Sequence, residues 1–176
     1  MRRPLLLLLV TLSLAGCATW NAITTSAGGT GAGLQAVLRP GGASAGAGLV
    51  DVRFVDRGDG VFATVFATNL PPGQYRVAVH QNPNCSSPNL FSAGPAWTPP
   101  GSTRTARELM PEFYTNTDGD ATLTVQIHGV HTMGPDGLQG HSVVLHYGSR
   151  VDDAVPGQPN NRVLCGVLGA PLSFTS

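Results

Sequence analysis

The feature that most constrains the fold is a series of short segments in which apolar and polar residues alternate or β-branched residues are dense. Two of them, 48–55 and 61–68, are separated by the turn Arg57-Gly58-Asp59-Gly60, whose Asp-Gly pair is a strong signal for a hairpin. Further segments of this kind, each preceded by turn residues, are 74–80, 121–128 and 141–147. Because only a single turn at 104–110 resembles a helix, the chain is predicted to be all-β, an antiparallel sandwich or barrel.

Two long segments, 81–112 and 148–161, interrupt this rhythm of strands and turns. Loops of such length are usually functional or held in place by cross-links. A cysteine accompanies each of them, since Cys85 lies in the first and Cys165 follows the second. Each segment is therefore expected to be held in place near one end by a cysteine.

Residues 1–16 are typical of a bacterial export signal. Arg2 and Arg3 precede an apolar run at 5–14, which is too short to span a bilayer as a stable helix. The sequence Leu-Ala-Gly-Cys at 14–17 has the form of a lipoprotein cleavage site. We expect cleavage before Cys17 and its lipidation, which would anchor the protein in the cell envelope, on the periplasmic or outer side. A plain secretory signal is the alternative.

The rest of the chain is predicted to comprise a tether and one domain. Residues 17–33 are rich in Ala, Gly, Thr and Ser and are expected to be flexible, whereas residues 34–176 have the length of a single domain. Without the signal, the chain holds eight arginines, no lysine and ten acidic residues, a formal charge of about −2. Because nucleic acid attracts clustered cations, this balance argues against nucleic acid as a partner.

The sequence contains three cysteines, and lipidation of Cys17 leaves Cys85 and Cys165 as an even pair. Export would bring this pair into an oxidising compartment, in which a disulfide persists. The residues around the pair also carry a resemblance to a known family.

His80 stands five residues before Cys85, and Arg162 stands three residues before Cys165 in a run that continues Cys-Gly-Val-Leu. Together with Ser-Ala-Gly-Pro-Ala-Trp-Thr-Pro at 92–99 and Gly-His-Ser-Val-Val-Leu-His at 140–146, these spacings resemble the copper–zinc superoxide dismutases. The resemblance spans about 34–172. It implies an eight-stranded Greek-key β-barrel or sandwich with two long loops, a Cys85–Cys165 disulfide, and copper-dependent conversion of superoxide.

The resemblance also implies which residues belong to the metal site. His80 and His146 correspond to two of the copper ligands, and Arg162 corresponds to the arginine that guides superoxide to copper. Three ligands of the family are lost in this sequence. Ala78 takes the place of a copper ligand, Ala96 that of the ligand shared by copper and zinc, and Leu109 that of a zinc ligand. Because copper needs enough imidazole ligands to be held tightly, we expect an incomplete copper site, weak copper binding and no zinc.

The third copper donor is left open by the sequence. Candidates for this donor are His128, His131, His141, Asn82 and Asp152. In an alternative interpretation, His80 and His146 are remnants that bond to the backbone, and Arg162 pairs with Asp152 or caps loop carbonyl groups.

Three functions are therefore compatible with the sequence. The first is a superoxide dismutase-like envelope lipoprotein in which dismutation is weak or absent. The others are a copper-binding protein without turnover and a non-catalytic binding or structural module on the same scaffold. The loss of ligands favours weak or absent dismutation.

Overall fold

The structure is a computed structural model that describes residues 33–41, 48–110, 112–151 and 160–170. Within these ranges the chain forms eight strands, one 3-10 turn at Phe91–Ala93 and one short helix, α1, at Ala106–Leu109. The strands are β1 (Gly33–Pro40), β2 (Leu49–Arg57), β3 (Gly60–Thr68), β4 (Gln74–His80), β5 (Glu112–Tyr114), β6 (Ala121–His128), β7 (Ser142–Tyr147) and β8 (Arg162–Val167).

All eight strands belong to one antiparallel sheet with the order β5-β4-β7-β8-β1-β2-β3-β6. The two end strands, β5 and β6, contact each other, so the sheet curls into a nearly closed barrel. The chain crosses between strands that are not neighbours from β3 to β4 and from β6 to β7. The Greek-key barrel expected from the sequence is confirmed.

The strand boundaries agree closely with the alternation in the sequence. β4 and β6 have the predicted bounds, β7 begins one residue later than predicted, and β1 begins at Gly33, one residue before the predicted start of the domain. The predicted helical turn is α1, which Thr105 and Glu108 close with a capping box.

The β2–β3 hairpin forms at the predicted turn Arg57–Gly60, with Gly58 and Asp59 as its central residues. Gly60 already pairs with Arg57 in the sheet, and Gly58 has a φ of 61°, a left-handed conformation that glycine adopts without steric cost. A Cβ on Gly60 would lie 2.1 Å from the carbonyl oxygen of Ile127. Both glycines are therefore needed, one for the turn and the other for close packing against β6.

The two halves of the barrel differ in how their outer faces are covered. The open half consists of β1, β2, β3 and β6. Along these strands, more buried and more exposed residues alternate. The covered half consists of β4, β5, β7 and β8. Nearly every residue is buried in three of these strands, β4, β7 and β8. The covered half therefore packs on both faces, against the barrel core within and against the long loops outside.

No helix long and apolar enough to cross a membrane occurs among the residues that the structure describes. The predicted signal, Cys17, nearly all of the tether and Asp152 lie outside the described residues.

Candidate metal centre

His80 and His146 meet on the outer face of the covered half. They belong to neighbouring strands, β4 and β7, whose alternate residues Val79 and Leu145 enter the barrel core. Both histidines are 0% exposed. Their Nε2 atoms are 3.0 Å apart, whereas their ring centres are 5.2 Å apart and the ring planes are inclined by only 18°. Because the nitrogens are so much closer than the ring centres, each Nε2 atom points at the other.

The opposite nitrogen of each ring fixes its tautomer. His80 Nδ1 lies 2.9 Å from the carbonyl oxygen of Gly94, which can only accept a hydrogen bond. His146 Nδ1 lies 2.9 Å from Oδ1 of Asn161. The Asn161 amide nitrogen donates to the carbonyl groups of Tyr147 and Arg150, at 3.0 and 2.9 Å, so its oxygen faces the ring. Both histidines therefore carry the proton on Nδ1, and their Nε2 lone pairs face each other.

The environment keeps His80 neutral. Burial lowers the pKa of His80 to about 3, although its hydrogen bond to Gly94 acts in the opposite direction. A proton shared between the two Nε2 atoms would create a buried imidazolium, which desolvation disfavours. Two lone pairs at this distance repel each other, and two metal–nitrogen bonds of about 2 Å each would not fit end to end between them.

Arg162 is held by the first loop, beside the histidine pair. Its Nη1 and Nη2 atoms donate to the carbonyl oxygens of Leu90 and Gly94, at 3.0 and 2.9 Å, and its guanidinium lies over the ring of Phe91. The side chain is nearly buried, with 8% exposure of the residue. These bonds match the interpretation in which Arg162 caps loop carbonyl groups. Guidance of superoxide by Arg162 stays a prediction.

The three positions assigned as lost ligands differ in their surroundings. Ala78 is a fully buried residue of β4, where it pairs with Val144 of β7. Ala96 forms a β-bridge with His80 and lies at the edge of an open depression. Leu109 is 6% exposed and belongs to the hydrophobic core. The apolar side chain of Leu109 thus contributes to packing and offers no metal donor.

The candidates for a third donor do not join the pair in the described part of the chain. His128 and His131 lie beside Asp59 and Asp56 near the β2–β3 turn, at 2.9 and 3.5 Å. His141 packs against Trp97 with tilted rings whose centres are 4.7 Å apart.

The amide nitrogen of Asn82 donates to the carbonyl of Ser92, and Asp152 falls outside the described ranges. Across those ranges, no group of three or more His, Cys, Asp or Glu residues is placed to hold a metal ion.

Sequence reasoning missed two residues that shape this site. Asn161 orients His146. The buried Arg76 of β4 lies in register with His146 of β7. The sequence did contain a signal for Arg76, because a charged residue shares a strand face with Ala78 and His80.

The predicted Cys85–Cys165 disulfide is present and joins the first loop to β8. It packs against an apolar cluster of Leu90, Ala93 and Val144 on the outer face of the covered half. The disulfide therefore fixes the part of the loop that supplies the carbonyl group of Gly94 to the histidine pair.

Comparison with known proteins identifies the scaffold. Residues 47–168 match the family described as copper/zinc superoxide dismutase. Among the solved structures that resemble the chain is the clock protein EA4, with 24% sequence identity and a TM-score of 0.59. That likeness covers 82% of this chain and 98% of the EA4 chain, and at this identity it shows a shared fold alone. Because the family match spans well over half of the sequence, the chain belongs to the copper/zinc superoxide dismutase family.

Proposed function

We propose that this protein is a superoxide dismutase-like envelope lipoprotein that binds copper weakly through His80 and His146 and has little or no dismutase activity. The observation that carries the proposal is the pair of Nε2 atoms, 3.0 Å apart. Each ring has its lone pair turned towards the other because both Nδ1 atoms donate elsewhere. An ion bound by both nitrogens would relieve their repulsion, but two metal–imidazole bonds of about 2 Å each do not fit end to end within this distance, so binding would require the rings to move apart or turn.

The donor set fits copper better than zinc. Structural zinc is bound by four protein ligands and catalytic zinc usually by three, whereas the described residues hold no group of three suitable side chains. Imidazole is a good copper ligand, and monovalent copper accepts as few as two donors. His80 and His146 are therefore the residues that would hold the ion, and the small number of ligands accounts for weak binding.

The same features oppose rapid turnover. Copper contributes one-electron exchange with superoxide, which requires that both of its oxidation states be held. Divalent copper prefers a tetragonal set of nitrogen and oxygen ligands, and Ala78 and Ala96 supply none. The imidazoles are also 0% exposed, and Arg162 is engaged by the carbonyl groups of Leu90 and Gly94. An anion that approaches from solvent therefore lacks direct contact with the pair.

The cellular location is part of the proposal. The signal-like residues 1–16 and the Leu-Ala-Gly-Cys sequence at 14–17 support export and lipid attachment at Cys17. The membrane would then be a partner through the lipid anchor, with the tether holding the domain away from it. The disulfide agrees with an oxidising compartment.

Copper binding and turnover can be measured on one preparation. The purified protein is loaded with Cu(I) under reducing conditions that spare the disulfide, and bound metal is quantified in competition with a chromogenic chelator. Superoxide decay is then followed by pulse radiolysis. We expect up to one copper per chain, readily removed by the chelator, with dismutation near the background rate.

Matched histidine variants provide the control. His80→Leu should abolish copper retention, whereas His128→Leu, which alters an exposed histidine beside Asp59, should leave it unchanged. Stoichiometric copper with rapid dismutation would contradict the proposed weak activity. Absence of copper from the wild type would leave the non-catalytic module as the remaining function.

Lipidation is tested separately by metabolic labelling with a radioactive fatty acid. Label should appear in the wild type and disappear in Cys17→Ala. A labelled Cys17→Ala protein, or an unlabelled wild type, would refute the lipoprotein assignment.

A further inference from the structure

Arg76 is a buried arginine on the outer face of β4 that the copper proposal does not use. Its exposure is only 5%. It shares the strand face of Ala78 and His80 and lies directly opposite His146 in the β4–β7 register. A charge in this position requires several polar partners, because removing a guanidinium from water is costly unless its donors are satisfied.

The guanidinium of Arg76 connects the strand to both long loops. Its Nη1 atom donates to the carbonyl oxygens of Arg107 and Met110, in and just after α1, with a distance of 2.6 Å to the first. Its Nε atom donates to the carbonyl oxygen of Ser149 at 3.1 Å. The Nη2 atom pairs with Glu112 of β5, also at 3.1 Å. One side chain thus joins the end of the first loop, the start of the second loop and the edge strand.

The second loop extends this network to His146. Ser149 is bonded to Arg76, and the next residue, Arg150, accepts a hydrogen bond from the amide nitrogen of Asn161. The amide oxygen of Asn161 accepts the hydrogen bond from His146 Nδ1. Together with the carbonyl of Tyr147, the Ser149–Arg150 segment therefore holds the orientation of the Asn161 amide, which in turn determines the tautomer of His146.

We propose that Arg76 is a positioning residue that fixes both loops without a metal ion and, through Ser149, Arg150 and Asn161, orients His146 towards His80. The proposal deepens the copper-binding function and rests on it for its consequence for metal affinity. Its structural part is independent of copper, since every bond in the network is made by the protein alone.

The planar guanidinium group of Arg76, with its several N–H donors, is needed for this role. Arginine presents five N–H donors in a rigid plane, whereas lysine offers a single ammonium point. The carbonyl oxygens of Arg107, Met110 and Ser149 diverge around the guanidinium group, so an ammonium satisfies only some of them. Arg76→Lys should therefore retain the charge and part of the order, and Arg76→Met should lose both.

The test compares wild-type protein with Arg76→Met, Arg76→Lys and the control Arg53→Met. Arg53 is also a strand arginine paired with a carboxylate, but it lies on the open half with half of its side chain exposed. Hydrogen–deuterium exchange is measured on the metal-free protein. Amides at 105–110 and 148–151 should exchange at least ~10-fold faster in Arg76→Met, less so in Arg76→Lys, and as in wild type in Arg53→Met.

Two further measurements report on His146. In ¹⁵N spectra of the imidazole, the single Nδ1–H tautomer of wild type should become a mixture in Arg76→Met. The dissociation constant for Cu(I) should rise about 10-fold, the lower end of the range for residues that orient metal ligands. A merely structural role elsewhere in the barrel would not change the tautomer.

The outcomes separate the two proposals. Wild-type exchange and a single tautomer in Arg76→Met would overturn the role of Arg76, whatever the copper affinity. If Arg76→Met shows faster loop exchange and a mixed tautomer while the wild type binds no copper, the positioning role of Arg76 is supported and the copper site is refuted. If Arg76→Met unfolds, Arg76→Lys decides the question: faster exchange confined to 105–110 and 148–151 supports the role, and unchanged exchange there overturns it.

Discussion

The two halves of the barrel are built from similar strands but have different surroundings. On the open half, β2 and β3 place every second side chain in the core and leave the others half-buried or exposed. On the covered half, β4 is buried from Tyr75 to His80 and β7 from Ser142 to His146. A strand buried on both faces can hold polar groups away from water, and the histidine pair lies in that environment.

The difference shows that the loops create the site as much as the strands do. The covered half is joined to its loops by the Cys85–Cys165 disulfide, by Arg162 and by Arg76. These cross-links act on the outer face, whereas the inner face is stabilised by ordinary apolar packing. Changes to outward-facing side chains of the covered half should therefore affect stability and metal binding. Changes to outward-facing side chains of the open half should have little effect.

The largest effect is expected from removal of the disulfide. In the chain-entropy model, cross-linking residues separated by 80 positions stabilises a fold by about 4–5 kcal/mol. Cys85→Ser combined with Cys165→Ser should lower the free energy of unfolding by that amount in urea denaturation, and chemical reduction of the wild type should match it. A loss under ~1 kcal/mol would mean that the first loop is held without the disulfide.

The next largest effect compares two valines on the outer faces of the halves. Val144 is fully buried beneath the first loop, whereas Val55 on β2 is 38% exposed. Val144→Ala should cost about 2 kcal/mol through lost burial and a cavity, and Val55→Ala should stay within ~0.5 kcal/mol. Equal losses in thermal or urea unfolding would contradict the distinction between the halves.

Adding imidazoles at Ala78 and Ala96 tests whether the covered half has the geometry of a metal site. Ala78→His with Ala96→His adds two donors beside His80, and Cu(I) affinity should rise at least ~10-fold in chelator competition, equivalent to about 1.4 kcal/mol. Ala96→His alone should give the smaller gain. Since Ala78 is fully buried, the double variant should also lose about 1–3 kcal/mol of stability through overpacking. No gain in affinity would show that these positions do not converge on the histidine pair.

The smallest effect is expected at α1, on the exposed side of the covering loops. The backbone N–H and hydroxyl of Thr105 donate to Glu108 and lower the pKa of its carboxyl below the ordinary value. A lowered folded-state pKa contributes stability above the unfolded pKa, and this contribution is lost as pH falls through the folded pKa. Glu108→Gln should therefore lower the melting temperature slightly at neutral pH and not at all in acid. A difference that grows in acid would contradict this assignment.

Much of the fold follows from local sequence signals. Alternation predicts β4 and β6 with their observed bounds, and turn residues predict the β2–β3 hairpin. The need for glycine at position 60 was not predictable from the Asp-Gly pair, because it depends on the contact of Gly60 with Ile127 across the sheet. Similarly, continuous burial of β7 depends on loops that are distant in sequence.

The site was predictable in its residues but not in its geometry. The sequence places His80 and His146 on strands of the family scaffold, yet their head-on arrangement depends on acceptors at Gly94 and Asn161. The role of Arg76 was likewise not predictable, because its partners are backbone carbonyl groups of two loops. A backbone acceptor has no signature in residue type.

The carbonyl oxygen of Gly94 accepts hydrogen bonds from both His80 and Arg162. A side chain at this residue is excluded by its φ of 76° and by the amide of Asn82, 2.7 Å from where a Cβ would lie. One backbone atom therefore makes the positions of the imidazole and the guanidinium interdependent, so neither can be redesigned alone.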